Sequence, residues 1–179
     1  VTAETVVAVA SDHTLYAKWQ VNPVMTVAFD ALGGSAPVPP TVVVTNGLPY
    51  GPLAATAREG YTFAGWHDND AATGTVVTAA TVVTAEANHA LYAAWTPNTY
   101  TVTFDAQGGT VAPASATVTF DAPYGPLPTP DRHGYPPFEG WWTGTNGSGS
   151  LVTAATLLTL PADHTLYAKW YPERFANYM

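Results

Sequence analysis

Short segments in which polar and apolar residues alternate run along this chain, separated by turns rich in Gly and Pro. In the segment 99–105, Thr-Tyr-Thr-Val-Thr-Phe-Asp, every second residue is apolar. This period of two is typical of a strand with one buried face. The segment 26–30 shows the same alternation, and each segment is followed by a Gly-Gly pair that favours a turn. The pattern therefore predicts half-buried strands at 26–30 and 99–105.

Other segments have the same character, and one stretch could form a short helix. In the segment 90–95, Leu91, Ala93 and Trp95 share one face. The stretch 53–59 has the length for two turns of helix, but its later counterpart carries Pro128 and Pro130, which shorten any helix there. The pattern thus predicts an α+β fold that is mainly β, with little helix. Further strands are predicted at 41–45, 116–120, 90–95, 14–19 and 165–170.

The sequence repeats itself with a period of about 75 residues. The octapeptide Asp-His-Thr-Leu-Tyr-Ala-Lys-Trp stands at 12–19 and again at 163–170, and a related copy ends at Trp95. The final Trp positions are separated by 76 (95 − 19) and 75 (170 − 95) residues. The repeat predicts four parts: the C-terminal part of a preceding repeat at 1–19, full modules at 22–95 and 98–170, and a tail at 171–179.

A module of this length has a small core, and large aromatic residues compensate because each can bury roughly 150–250 Å². The repeated apolar positions predict equivalent cores in the two full modules. The core residues predicted for the first are Phe29, Tyr61, Phe63, Trp66, Leu91 and Trp95. Those predicted for the second are Phe104, Tyr135, Phe138, Trp141, Leu166 and Trp170.

Composition excludes several classes of partner. The net charge is −8 with only five Lys and Arg residues, so the basic surface that nucleic acids require is lacking. No stretch reaches the roughly 18 apolar residues of a membrane span, which argues against membrane insertion of this segment. The chain has no Cys, which removes disulfides, thiolate metal ligands and Cys nucleophiles.

Three motifs recur in a fixed order. They are Tyr-Thr-Val-Thr-Phe-Asp-Ala-x-Gly-Gly at 100–109, Gly-Tyr-x-Phe-x-Gly-Trp at 60–66, and Thr-Leu-Tyr-Ala-Lys-Trp at 14–19 and 165–170. In these motifs the chain resembles the Listeria–Bacteroides repeat family, the B-repeat type of internalins. Pro136-Pro137 interrupts the second motif in the last module.

The resemblance implies tandem β-grasp-like modules, each a small mixed sheet over a short helix. It also implies an extracellular place at the bacterial cell surface or cell wall, in proteins where such arrays act as spacers or adhesive segments. The family carries no catalytic residues, and neither catalytic, cofactor-binding nor metal sites are predicted here.

His13, His89 and His164 recur at one position, directly before the predicted last strand. A metal or acid–base role needs partners, but the preceding residue is Asp12 and Asp163 in two copies and Asn in the third. A turn or capping role therefore fits these histidines better than a chemical role.

Two acidic features are weighed in the same way. The loop 68–74, Asp-Asn-Asp-Ala-Ala-Thr-Gly, resembles a calcium loop but departs from the EF-hand pattern, because Thr73 stands at its sixth position and no Glu closes it. Asp30 and Asp105 precede the Gly-Gly pairs, where a side-chain-capped turn is the simpler interpretation.

Some lysines and aromatics are left over. Lys18 and Lys169 could form an internal crosslink, but Ala94 occupies that place in the middle module, so a lysine guarding a strand edge is favoured. The surplus aromatics either pack between modules or face solvent and bind sugars or peptides. The candidate ligand-binding residues among them are Trp142, Tyr50 and Tyr124, and Tyr16, Tyr92 and Tyr167 are further exposed candidates.

Three functions remain in view. The first is a non-catalytic stalk or spacer in an adhesin-like surface protein, since each added module adds length. The second is a binding module for a host protein or glycan, with avidity from repetition. An enzyme is the least favoured, because the strongly repeated residues resemble core and turn positions. The partners predicted are neighbouring repeats of the same chain and, for the second function, the host ligand.

Overall fold

The computed structural model describes residues 5–6, 8, 10–19, 21–134 and 137–171. Within them, the chain forms two five-stranded sheets one after the other. The strands of the first sheet are β1 (Val24–Asp30), β2 (Thr41–Thr45), β3 (Tyr61–His67), β4 (Val76–Val77) and β5 (His89–Pro97). Those of the second are β6 (Thr99–Asp105), β7 (Ser115–Thr119), β8 (Phe138–Trp142), β9 (Leu151–Val152) and β10 (His164–Trp170).

Both sheets have the same mixed topology. The strand order is β2-β1-β5-β3-β4 in the first and β7-β6-β10-β8-β9 in the second. The first and last strands of each module pair in parallel, and the other neighbours pair antiparallel. The last strand therefore lies in the middle of its sheet. The predicted fold class, tandem small modules that are mainly β with little helix, is confirmed.

One face of each sheet carries the core, as the alternation predicted. Along β1, every second side chain is buried, namely Met25, Val27 and Phe29. The ring of Phe29 lies 4.7 Å from that of Trp66, measured between centroids, and in the second module the rings of Phe104 and Trp141 are 5.0 Å apart. These Trp residues are the largest buried side chains, with 2% and 1% exposure.

The helix predicted at 53–59 is wrong. Ala55 exchanges two backbone hydrogen bonds with Val38, which holds this stretch extended beside the loop after β1. In the second module Asp131 and Thr110 exchange two such bonds, at the positions that correspond to Ala57 and Ser35 of the first. Because these backbone groups bond to another segment, no i to i−4 ladder can form. A single turn of 3-10 helix, Thr145–Gly147, is the one helical element in the part of the chain described.

The strand predicted at 14–19 is also wrong. These residues lie in no strand, and Leu15, Tyr16 and Trp19 are 65%, 89% and 89% exposed. The identical sequence at 163–170 supplies the central strand of the second sheet, between β6 and β8. A strand needs neighbours to bond its backbone, and none pairs with 14–19 in the described residues. The Trp at the end of the repeat thus has a shared environment in two copies, not three.

The aromatic positions differ in how deeply they are buried. Phe63 is 38% exposed, so its assignment to the core is corrected to the core's rim, where it contacts Trp66 and Trp95 at centroid distances of 5.5 and 5.4 Å. Tyr61 faces the second module and is no core residue. Tyr135 lies outside the described residues. Trp95, Phe138 and Trp170 are half-buried against their cores.

The repeated Trp at the end of each last strand anchors the turn after the first strand. Trp95 Nε1 donates to the carbonyl of Ala31 at 2.7 Å, and Trp170 Nε1 donates to that of Ala106 at 3.0 Å. The second Gly of each Gly-Gly pair lies against this indole. A Cβ at Gly34 would stand 2.5 Å from Trp95 Cζ2, so no larger residue fits.

Candidate functional site

A Tyr–His pair is present at the same place in both modules. Tyr50 lies in the loop after β2, and its hydroxyl is 2.7 Å from Nε2 of His89 at the start of β5. In the second module, the hydroxyl of Tyr124 is 2.6 Å from Nε2 of His164. In both pairs the rings meet edge to face with centroids 5.7 Å apart.

The other ring nitrogen of each His fixes its orientation. His89 Nδ1 is 3.1 Å from the carbonyl of Ala87, and His164 Nδ1 is 3.0 Å from that of Ala162. A carbonyl only accepts, so Nδ1 donates to it, and in the tautomer with the proton on Nδ1 the Nε2 atom accepts the Tyr hydroxyl. The phenol oxygen keeps its own acceptor capacity for another donor.

Each Tyr–His pair borders an open cleft at one end of its sheet. The cleft of the first module has a volume of about 480 Å³ and that of the second about 280 Å³. Both are lined mainly by hydroxyl groups and aliphatic side chains. Polar residues lining the first are Tyr50, Asp68, Thr75, Thr81, Thr84 and His89. Those lining the second are Tyr124, Thr143, Ser150, Thr156, Thr159, His164 and Thr165.

The clefts keep their tyrosines protonated. Partial burial raises the pKa of Tyr50, and the nearby carboxylate of Asp68 raises it further. Burial also raises the pKa of Tyr124. Because both tyrosines already titrate well above neutral pH, their hydroxyls remain hydrogen-bond donors under ordinary conditions.

Sequence reasoning treated the two halves of this pair separately. His89 and His164 were expected in a turn, and each does contact a carbonyl two residues before it. Tyr50 and Tyr124 were expected on an outer face, but the structure places them beside the histidines. In the sequence, the Tyr and the His each recur at a fixed position of the repeat. This recurrence does not show that the two side chains are in contact.

A second set of polar contacts joins the two modules. Tyr61 of the first module donates its hydroxyl to Asp121 Oδ2 of the second at 2.7 Å. Its ring meets that of Phe120 edge to face, with centroids 5.6 Å apart. Gly60 makes room for this ring, since a Cβ there would lie 2.4 Å from Phe120 Cδ1.

The connection between the modules is one residue long. Strand β5 ends at Pro97 and β6 begins at Thr99, so Asn98 alone lies between them. Asn98 N donates to the carbonyl of Gly60 at 2.9 Å, and its side-chain oxygen accepts the hydroxyl of Thr62 at 2.6 Å. The link is therefore bonded through both its backbone and its side chain.

The residues at this junction are not part of the repeat. Asn46 and Gly47 stand in the first module where Phe120 and Asp121 stand in the second. The turn itself is the same, because Gly47 N donates to the carbonyl of Val83 and Asp121 N donates to the carbonyl of Leu158. Phe120 and Asp121 are therefore not needed to form the turn, and they occur at this position only in the second module.

The acidic loop 68–74 is closed by side chains that accept backbone N–H groups of the same loop. Asp68 Oδ1 accepts the N–H of Thr75 at 2.8 Å, and Asn69 Oδ1 accepts those of Thr73 and Gly74 at 3.0 and 3.1 Å. Within the described ranges, no group of three or more His, Asp or Glu side chains is placed to hold a metal ion.

The two Asp residues before the Gly-Gly pairs behave alike. Asp30 accepts the N–H of Leu32 at 2.9 Å, and Asp105 accepts that of Gln107 at 2.8 Å. Each is thus a carboxylate that caps the turn after its strand.

Lys169 is not a strand-edge lysine. It lies on the central strand β10, where Nζ contacts Glu139 Oε1 at 2.9 Å and lies 4.8 Å from the ring centroid of Trp142. Trp142 is accordingly half-buried beneath this cation, which reduces its value as an exposed ligand platform. In the first module the ion pair is replaced as a unit, with Ala64 and Ala94 at the two positions.

Comparison with known sequences gives the family. The profile of the Listeria–Bacteroides repeat domain matches residues 26–94 and 100–169. The chain belongs to the Listeria–Bacteroides repeat family. Its two matched repeats coincide with the two sheets, and the Tyr–His clefts lie within them. The residues 12–19, which carry the last motif of the repeat, fall outside both matches.

Relatives that carry this repeat are much longer proteins. A protein described as a Gly-rich membrane protein of Evansella cellulosilytica is 32% identical over 169 residues, covering 88% of this chain and 17% of the relative. Internalin H of Listeria monocytogenes is 34% identical over 146 residues, covering 81% of this chain and 25% of that protein. The chain thus spans a quarter or less of these relatives.

No solved structure matches the chain. Among the residues that the structure describes, no helix is both long and apolar enough to cross a membrane.

Proposed function

We propose that this chain is a non-catalytic stalk segment of a bacterial cell-surface protein, in which successive repeats project a more distant part of the protein. The observation that carries the proposal is the bonded junction between the modules. A flexible string of beads would need a longer connection without side-chain contacts. Here the one residue between β5 and β6 is hydrogen bonded, and the Tyr61 hydroxyl bonds to Asp121.

With junctions of this kind, an array of repeats becomes longer with each added module. Where a repeat contacts its sequence neighbour as these two do, stability stays local while the span grows with the number of units. We take 22–95 and 98–170 as the bounds of the two units, with 1–19 as the end of a preceding one. The surface location rests on the family, on a relative named as a membrane protein and on an internalin.

The polar residues that recur support a structural role over an enzymatic one. Asp30 and Asp105 cap turns, and His89 and His164 bond to a Tyr and a backbone carbonyl. A catalytic group needs a reactive partner and a pKa matched to its task. The recurring carboxylates are instead engaged with backbone N–H groups.

The test uses the turn that the first module already contains. Replacing Phe120→Asn together with Asp121→Gly converts the junction residues into the pair found at Asn46 and Gly47, which the same turn accommodates. We expect small-angle X-ray scattering of the wild-type chain to show an elongated particle with one preferred arrangement of modules. The variant keeps the bonds of Asn98 but loses the Tyr61–Asp121 bond and the Phe120 ring contact, so it should show a wider range of arrangements than the wild type.

The matched control is Tyr92→Phe, which lies on the sheet away from the junction and should leave scattering unchanged. If wild type and the double variant both scatter as freely jointed modules, the stalk proposal loses its physical basis. A change in the unfolding midpoint would be read separately, by circular dichroism, so that loosening is not confused with loss of fold.

A further inference from the structure

We propose that each Tyr–His cleft is a binding site for one unit of a neutral polysaccharide, so that this chain offers one glycan subsite in each module. The proposal is independent of the stalk function, because it rests on the clefts within modules and not on the junction between them. It places ligand recognition on Tyr50 and Tyr124 but away from Trp142, which lies under Lys169.

The chemistry of the lining selects the class of ligand. A sugar ring presents several hydroxyls around an apolar body. The first cleft is lined by Thr75, Thr81 and Thr84 together with the aliphatic side chains of Val77 and Val82. Small-molecule sites usually have such an apolar wall with a few placed polar groups, within about 300–1,000 Å³. The first cleft, of about 480 Å³, falls within this range, and the second, of about 280 Å³, lies just below it.

The Tyr–His pair supplies the oriented group. The Tyr hydroxyl proton is committed to Nε2 of the His, which leaves the phenol oxygen as an acceptor of fixed direction. Removal of that proton is opposed by the raised pKa of both tyrosines. A sugar hydroxyl can donate to this oxygen, and the same arrangement recurs in the second module.

The charges around the clefts favour a neutral ligand. Among the residues that the structure describes, neither Lys nor Arg lines either cleft, and Asp68 lines the first. The whole chain carries a net charge of −8. Uronic acid or sulfated polymers would meet only repulsion here, whereas a neutral sugar can donate a hydroxyl to the Asp68 carboxylate. Two shallow subsites on one chain gain avidity from a polymer that reaches both.

The first experiment observes the histidine rings directly. Ring carbon–proton correlation spectra of the whole chain would be recorded with cellotetraose, chitotetraose, mannotetraose and a heparin tetrasaccharide, each up to millimolar concentration. We expect at least one neutral sugar to shift the signals of His89 and His164 and to leave His13 and His133 unchanged. Heparin should shift none of the four.

The second experiment uses paired variants. Tyr50→Phe with Tyr124→Phe removes both hydroxyls and keeps the rings, while Tyr92→Phe with Tyr167→Phe removes hydroxyls on the central strands outside the clefts. For the sugar that shifts the histidines, the cleft variant should bind about tenfold more weakly, as expected for one lost hydrogen bond per site. The control variant should bind as the wild type does.

Three results would overturn the proposal. One is that no neutral sugar in the panel shifts His89 or His164. Another is that heparin shifts them as strongly as a neutral sugar. The third is equal affinity in the cleft variant and the wild type. Because the spectra of the wild-type chain stand alone, a cleft variant that fails to fold leaves the first two results decisive.

Discussion

Leu91 and Leu166 occupy the same place on the central strand of each sheet, and replacing either with Ala measures how similar the two cores are. Both side chains are 0% exposed. Leu91 pairs with Phe29 and Leu166 with Phe104 across the parallel ladders. If the repeat builds two equivalent cores, the two substitutions must cost similar free energies of unfolding.

The magnitude follows from complete burial. A buried Leu→Ala change costs about 3 kcal/mol, from lost transfer free energy and the cavity left behind. A module of about 75 residues has a free energy of unfolding of about 4–11 kcal/mol. With a urea m value of about 1–1.5 kcal/mol/M, the midpoint of the affected module should fall by about 2–3 M.

The sequence contains its own control. Leu15 stands in the octapeptide 12–19 at the position that Leu166 occupies in 163–170, with identical neighbours. It is 65% exposed and lies in no strand. We therefore expect Leu15→Ala to change stability by no more than about 0.5 kcal/mol. The contrast separates the effect of sequence from the effect of packing.

The assay must report each module separately, because two modules need not unfold together. The indole N–H signals of Trp66 and Trp95 report the first module, and those of Trp141 and Trp170 the second. Their loss along a urea titration gives one midpoint per module. Costs for Leu91→Ala and Leu166→Ala that differ by more than about 2 kcal/mol would refute the equivalence of the cores, and a large cost for Leu15→Ala would refute its assignment as unpacked.

Two other outcomes follow from the geometry. Gly109→Ala should cost about 1–3 kcal/mol in the second module, since its Cβ would lie 2.6 Å from the carbonyl oxygen of Asp131; an unchanged midpoint of the Trp170 indole signal would contradict the close packing. The hydrogen bond to Asp121 is the larger cause, and desolvation the smaller, that raise the pKa of Tyr61 above its usual 10.0. The Tyr61 hydroxyl therefore stabilises the junction below pH 10. This stabilisation is lost as the pH rises through the raised pKa. The difference in near-ultraviolet absorbance between wild type and Tyr61→Phe should give a titration midpoint above 10, and a midpoint at or below 10 would contradict the bond.

The local pattern was sufficient to predict much of the sheets. The segment 41–45 was predicted as a strand and is β2 without change, and 26–30 and 99–105 lie within β1 and β6. Because polar and apolar residues alternate in these segments, the sequence alone indicates which face of each strand is buried. Trp66 and Trp141 were predicted in the core for a related reason, because a small module needs large aromatic residues to fill its core and both Trp residues stand at a repeated position.

What depended on distant partners could not be predicted. The stretch 53–59 has helical character but is held extended by Val38, and 14–19 has the sequence of a strand but no neighbour. The Tyr50–His89 bond and the Tyr61–Asp121 bond join residues 39 and 60 positions apart. No periodicity encodes such pairs, because they depend on how loops return to the sheet.

The most direct test of the stalk account is the distribution of distances between the two modules. The chain has no Cys, so spin labels at Thr41→Cys and Ser115→Cys, equivalent exposed positions on β2 and β7, would be the only ones. We predict one narrow distance by double electron–electron resonance, which broadens when Phe120→Asn and Asp121→Gly are introduced. A broad distribution in the chain with the native junction would contradict the central claim that the modules are held in a fixed arrangement.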